Sequence, residues 1–138
     1  MRVFFDSNVI IDALSSREES TKVEEALLYK AVVGGIQGIL SAKQLTDIYY
    51  VLRRYYSSDE RRRELLSILV AGFEIASVDC DVCSKALDSS IPDYEDAVIA
   101  ECADLYAADY ILTNDVKGFV KSKIPVIKPA DLAKLLRL

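Results

Sequence analysis

Val3-Phe4-Phe5-Asp6-Ser7-Asn8-Val9-Ile10 is the stretch that decides the fold of this chain. Three apolar residues in succession, two of them phenylalanines, fit a strand buried on both faces, because successive side chains of a strand point to opposite sides. The polar step Asp6-Ser7-Asn8 ends the run. Val9, Ile10 and Leu14 then resume at helical spacing, so a first strand turns directly into a helix. An acid immediately behind a buried strand must be met either by local hydrogen bonds or by a cation.

The rest of the chain repeats this alternation. Ser20-Thr21 offers a cap to a second helix with Val23, Ala26, Leu27 and Ala31 inward, and Gly34-Gly35 stops it. Ile39-Leu40 is a second strand. Leu45, Ile48, Tyr49 and Leu52 fall at i, i+3, i+4 and i+7, which gives a third helix a continuous apolar stripe. Ser58 to Glu64 opens a fourth helix running through Leu65, Leu66 and Leu69, and Gly72 separates it from a strand at Glu74-Ile75-Ala76. Asp79 caps another helix. Pro92-Asp93 begins a long helix with Ile99, Cys102, Ala103 and Tyr106 inward, followed by strands at Tyr110 to Thr113 and Val126-Ile127 and a closing helix from Pro129. Short apolar strands alternating with helices predict an α/β fold: a three-layer α/β/α sandwich around a central parallel sheet of four to five strands. At 138 residues and 51% apolar composition, a single domain over 1–138 is expected.

Composition narrows the chemistry. There is no histidine, which excludes Ser-His-Asp and Cys-His triads and histidine-pair ribonuclease chemistry. Three cysteines leave one unpaired, the usage expected in a reducing cytoplasm. Cys80-x-x-Cys83 has only Cys102 to join it, one ligand short of a zinc site, so these thiols are assigned to packing. The apolar runs are too short for a membrane span or a signal peptide. A net charge of −5 argues against broad coating of nucleic acid, so any such contact is local. For a hydrolase of this composition, carboxylates with metal remain.

In open α/β sheets, sites form beyond the carboxyl ends of the strands, where connections leave in opposite directions. Asp6 follows the first strand, Asp115 follows the Tyr110 strand, and Asp96 stands in the first turn of the long helix. Each has a plainer reading: Asp115 as the cap of the turn Val116-Lys117-Gly118, Asp96 as the acidic member of a capping box with Asp93. Carboxylates crowded together repel unless a divalent ion neutralises them, and oxygen ligands alone favour Mg²⁺ or Mn²⁺ over zinc.

Phe4 to Val9, Ser41 to Leu52, Asp96 to Ala100 and Leu112 to Phe119 resemble, in order, the successive motifs of PIN-domain nucleases, and in particular the VapC-like branch of toxin components. The resemblance implies an Mg²⁺- or Mn²⁺-dependent endoribonuclease, with RNA as substrate, a small antitoxin protein as partner, and a homodimer. It also implies that Asp6, Asp47, Asp96 and Asp115 form the acidic site, with Asp6, Asp96 and Asp115 coordinating the ion and Asp47 coordinating it or orienting water. Asp47 departs from the pattern, which has glutamate there; without the resemblance it reads as a solvated helix residue. Asp93 and Glu95 are nearby substitutes. Ser7, Asn8, Thr113 and Asn114 match polar positions that support the acids in the family.

Arg53 and Arg54 with Tyr55 and Tyr56, the run Arg61 to Arg63, and Lys117, Lys121 and Lys123 are candidate cations for the rest of an RNA strand, against the alternative of solvated helix faces. Lys117 is the best placed, beside Asp115. Two other functions compete. A haloacid-dehalogenase-like phosphatase also carries an aspartate after its first strand, but needs a second aspartate where this chain has Asn8. A non-catalytic PIN-fold module that binds RNA or protein would be marked by a missing acid, and all four are present.

Overall fold

Two adjacent phenylalanines put one ring on each side of the first strand, and the two sides become two cores. In β1 (Arg2–Phe5), Val3 and Phe5 enter one apolar cluster and Phe4 the other. β2 (Gln37–Ser41) repeats the division with Leu40 and Ile39, and β4 (Tyr110–Leu112) with Leu112 and Ile111. Each such side chain removed from water contributes roughly 1.5–3 kcal/mol. The computed structural model describes residues 1–15 and 21–138; Ser20, one of the two expected cap residues, lies outside them, and Thr21 occupies the N-cap position.

β3 (Glu74–Ala76) and β5 (Val126–Ile127) complete a parallel sheet in the order β3-β2-β1-β4-β5. One face is covered by α1 (Ser7–Ser15), α2 (Lys22–Val32), α3 (Ala42–Val51), α4 (Asp59–Gly72) and α7 (Pro129–Leu136), whose apolar residues share the cluster of Val3 and Phe5. The other face is covered by α5 (Cys80–Leu87) and α6 (Tyr94–Leu105). This is the expected three-layer α/β/α fold. Phe5 meets Phe73 edge to face, with ring centroids 5.1 Å apart.

Local chemistry sets the element ends. Gly34 takes φ +80 just past the last turn of α2, a conformation that side chains disfavour, which fixes the stop there. Ser58, Asp79 and Asp93 are N-caps, each accepting a backbone N–H three residues on, a contact that contributes about 1 kcal/mol. Several expectations shift in detail. Gly72 is the last residue of α4 instead of a separate break. Tyr106 lies just past α6, where its hydroxyl accepts from the Ser77 N–H. Ala97, Val98, Ile99 and Ala100 are all buried, so the start of α6 is enclosed on more sides than a single stripe implies.

The order of the strands places the site. From β1 the sheet grows towards β2 on one side and β4 on the other, and β1 pairs with both. The carboxyl ends of β1 and β4 are therefore neighbours at the switch of direction, with Phe5 beside Leu112.

Candidate functional site

Asp6 leaves β1 at that switch, its N–H bonded to the Leu112 carbonyl at 2.9 Å. Its carboxylate accepts from the Thr113 hydroxyl at 2.7 Å and from the Asn8 amide at 3.2 Å. Burial raises the Asp6 pKa; the Thr113 bond and the Ser7 backbone oppose the rise, while the charges of Glu95 and Asp115 add to it. Asn8 thus supplies an amide donor at the position where a dehalogenase-like phosphatase needs a second acid.

Thr113 is fully buried and does two jobs, since its oxygen also accepts from the Asp115 N–H at 3.0 Å. Asp115 then opens a 3₁₀ turn, Val116–Phe119, and its side chain makes no capping bond there. The plainer reading of Asp115 as a turn cap therefore does not account for its carboxylate. Asp93 is the N-cap of α6 and accepts from the Asp96 N–H, which is the cap residue's half of a capping box; the Asp96 carboxylate makes no described return bond to the Asp93 N–H.

Gly118 records how closely these acids gather. A Cβ built on it would stand 2.7 Å from Asp96 Oδ2 and 3.1 Å from Asp115 Oδ2, so only glycine leaves the two carboxylates their place. The Asp96 pKa is pushed up to about 6, first by burial and then by the charges of Asp93, Asp6, Asp115 and Glu95. The charges of Asp6 and Asp115 thus both bear on Asp96, and that of Asp115 on Asp6.

Asp47 is different. Its carboxylate is engaged by Lys43, four residues back on α3, at 2.8 Å, and the same ammonium lies 3.8 Å from Glu95 at the start of α6. Ser7 is reached through Gln44, a buried residue that donates to the Phe5 carbonyl and to Ser7 Oγ while closing a capping box with Ser41. Asn114 is tied back to α1: its N–H meets Asn8 Oδ1 and its amide donates to Asp12 at 2.9 Å. Gln44, Gly118, Lys43 and Asp12 were not singled out from sequence. The Ser41-x-x-Gln44 pattern is a capping-box signature and marks Gln44.

The candidate RNA cations divide. Lys117 is exposed in the turn directly after Asp115. Arg53 and Arg54 sit past the end of α3, roughly 9 Å further along the helix axis than Asp47. The Arg53 guanidinium lies 5.0 Å from the Tyr50 ring centroid. The run Arg61 to Arg63 is largely engaged within α4: Arg61 with Glu64 at 2.9 Å, Arg63 with Asp59 at 2.8 Å, and Arg62 buried and donating to the Tyr56 carbonyl. Lys121 and Lys123 line a separate cleft of about 500 Å³ beside α6, together with Asp88, Glu101 and Asp104.

The fit of a divalent cation rests on the donor set. Among the described residues no three acidic, cysteine or histidine side chains form a ready-made cation cage. Asp6, Asp96 and Asp115 nonetheless carry oxygen donors alone, and Asp6 and Asp96 are raised in pKa first by burial and then by neighbouring negative charge, that of Asp115 included. The space kept by Gly118 lies against two of them. Oxygen donors of this kind are hard ligands, the set that suits Mg²⁺ or Mn²⁺. Cys80, Cys83 and Cys102 are all free and play no part in it.

The sequence profile of the PIN domain matches residues 2–117. The fold is similar to that of a toxin–antitoxin complex from Klebsiella pneumoniae, at 22% identity and TM-score 0.68, covering 92% of this chain and 97% of that one. It is also similar to VapBC2 from Rickettsia felis bound to a DNA fragment from its promoter, at 18% identity and TM-score 0.67, covering 93% and 98%. A third similar structure is Mycobacterium tuberculosis VapC20, described as a sarcin-ricin loop cleaving toxin, at 12% identity and TM-score 0.66, covering 89% and 98%. No match was found among curated proteins.

Proposed function

Because the chain belongs to the PIN-domain family, we propose that it is an Mg²⁺- or Mn²⁺-dependent endoribonuclease and the toxin member of a toxin–antitoxin pair. The observation that carries this reading is the grouping of Asp96 and Asp115 around Gly118, with Asp6 held behind them by Thr113. Asp6, Asp96 and Asp115 are the residues that would hold the ion, and Asp47 acts beside them. A divalent ion held there supplies charge neutralisation for a phosphodiester and lowers the pKa of water for attack on it.

The chain's own residues do the positioning. Thr113 and Asn8 fix the Asp6 carboxylate, so its oxygens enter the site without further ordering. The Thr113 oxygen also holds the Asp115 backbone, which couples the ends of β1 and β4. Lys117, exposed next to Asp115, is the cation we assign to an adjoining RNA phosphate. Phosphate contacts of this kind position a strand without reading its sequence.

Partners and place follow from the same reading. The similar structures include complexes of toxins with antitoxins, which supports a small protein partner for this chain. A homodimer is part of the proposal and rests on the family alone. Among the described residues no helix is long and apolar enough to cross a membrane, and the three free thiols suit a reducing cytoplasm.

The test is incubation of the purified protein with labelled single-stranded RNA and, in parallel, with the same sequence as DNA. Cleavage of RNA that needs Mg²⁺ or Mn²⁺ and stops with chelator is the expected result. Intact RNA with every ion would overturn the proposal, and equal cleavage of DNA would overturn its choice of substrate.

A further inference from the structure

Lys43 is the cation that joins α3 to the acidic site. Its ammonium lies 2.8 Å from Asp47 Oδ2 on its own helix and 3.8 Å from Glu95 Oε2 at the start of α6. The pair with Asp47 is about half exposed, so it adds little to the stability of the fold. Its place matters more. Glu95 directly precedes Asp96, and its charge acts on both Asp6 and Asp96. Lys43 thus stands where two helices bring acids to the rim of the site.

We infer that Lys43 is a positioning residue that ties Asp47 to Glu95 and so holds the Asp47 carboxylate off the cation site framed by Asp6, Asp96 and Asp115. The inference rests on the metal-nuclease reading above and decides how Asp47 takes part in it. Aspartate, one methylene shorter than glutamate, has little reach to spare, and the reach it has is directed to Lys43. Glu95, with the longer side chain and 60% exposed, remains partly free to turn towards the site. Removing the ammonium releases Asp47 and leaves Glu95 unrestrained, which adds negative charge where a cation would sit.

Titration calorimetry with MnCl₂ on the metal-free protein tests this directly. Lys43→Met should bind Mn²⁺ about tenfold more tightly than the unmodified protein, by the Coulomb term for a released carboxylate near the ion. Lys43→Arg, which keeps the tie, should bind like the unmodified protein. When Asp47 is already Asn, the further change Lys43→Met should tighten binding by less than about threefold, since only the freeing of the exposed Glu95 and the loss of a nearby positive charge remain. Lys43→Gln with circular dichroism guards against a folding defect special to Met. Equal gains in the two backgrounds, or an unchanged Lys43→Met and Lys43→Gln, overturn the positioning role while leaving the metal site standing. An unmodified protein that takes up no Mn²⁺ overturns the metal reading and this inference together.

Discussion

The Thr113 hydroxyl donates to the Asp6 carboxylate at 2.7 Å and, through the same oxygen, accepts the Asp115 N–H at 3.0 Å. One buried side chain therefore fixes acids that leave two different strands. Thr113→Val keeps the shape and removes both bonds, leaving the half-buried Asp6 carboxylate with the Asn8 amide as its remaining side-chain donor and the Asp115 N–H without its acceptor. We expect a stability loss of about 1–3 kcal/mol in urea unfolding. RNA cleavage should slow on the order of tenfold, as when a group that orients a ligand is lost. A variant unchanged in both measurements would show that Thr113 does not organise the site.

Gly118→Ala separates the site from the fold. The added Cβ meets the ends of Asp96 and Asp115, which are side-chain atoms able to swing away, so folding should survive. Melting should shift by no more than a few degrees while cleavage falls on the order of tenfold or more, because both carboxylates must move. Full activity in the alanine variant would mean that the close approach has no functional role.

Asp96 gives stability a distinct pH dependence in chelator. Its pKa is 3.8 unperturbed and about 6 in the fold, so between those values the folded chain holds the proton more firmly than the unfolded one. Stability from this group is present below the lower value and is lost as pH rises through the upper one. Asp96→Asn should therefore melt like the unmodified protein at the acid end of the window and above it near neutral pH. Saturating Mn²⁺ should reverse the order at neutral pH, because only the aspartate gains from the ion. A constant melting difference across the window would contradict the assigned burial and charge.

Cys80→Ser and Cys83→Ser should leave RNA cleavage within a few fold. Both thiols lie on α5, outside the acidic set. Activity lost in either variant and restored by zinc or reductant would assign them a role in the chemistry.

The parts of this molecule legible in sequence are those with strong local signals. Val3-Phe4-Phe5 and Ile111-Leu112 read as buried strands because both faces of a parallel sheet are covered, and Asp6 and Asp115 stood out because they follow such strands. Asp47 carried no local signal and entered only through family resemblance. For Arg62 the sequence reading offers an RNA cation or a solvated helix face, yet the residue shares a helical face with the buried Leu65 and Leu69, a spacing that marks it as inward. The Gly118 cradle and the reach of Lys43 to Glu95 are contacts between elements far apart in sequence, and no periodicity within one element encodes them.

Cleavage of labelled RNA by Asp6→Asn and Asp96→Asn at saturating Mn²⁺, with folding confirmed by circular dichroism, tests the central claim most directly. Each substitution keeps the size of the side chain and removes one charge from the group around the ion. The account predicts that both folded variants lose on the order of a hundredfold or more in rate. Folded variants that cut RNA at the unmodified rate would contradict it and leave a PIN fold that binds without cutting.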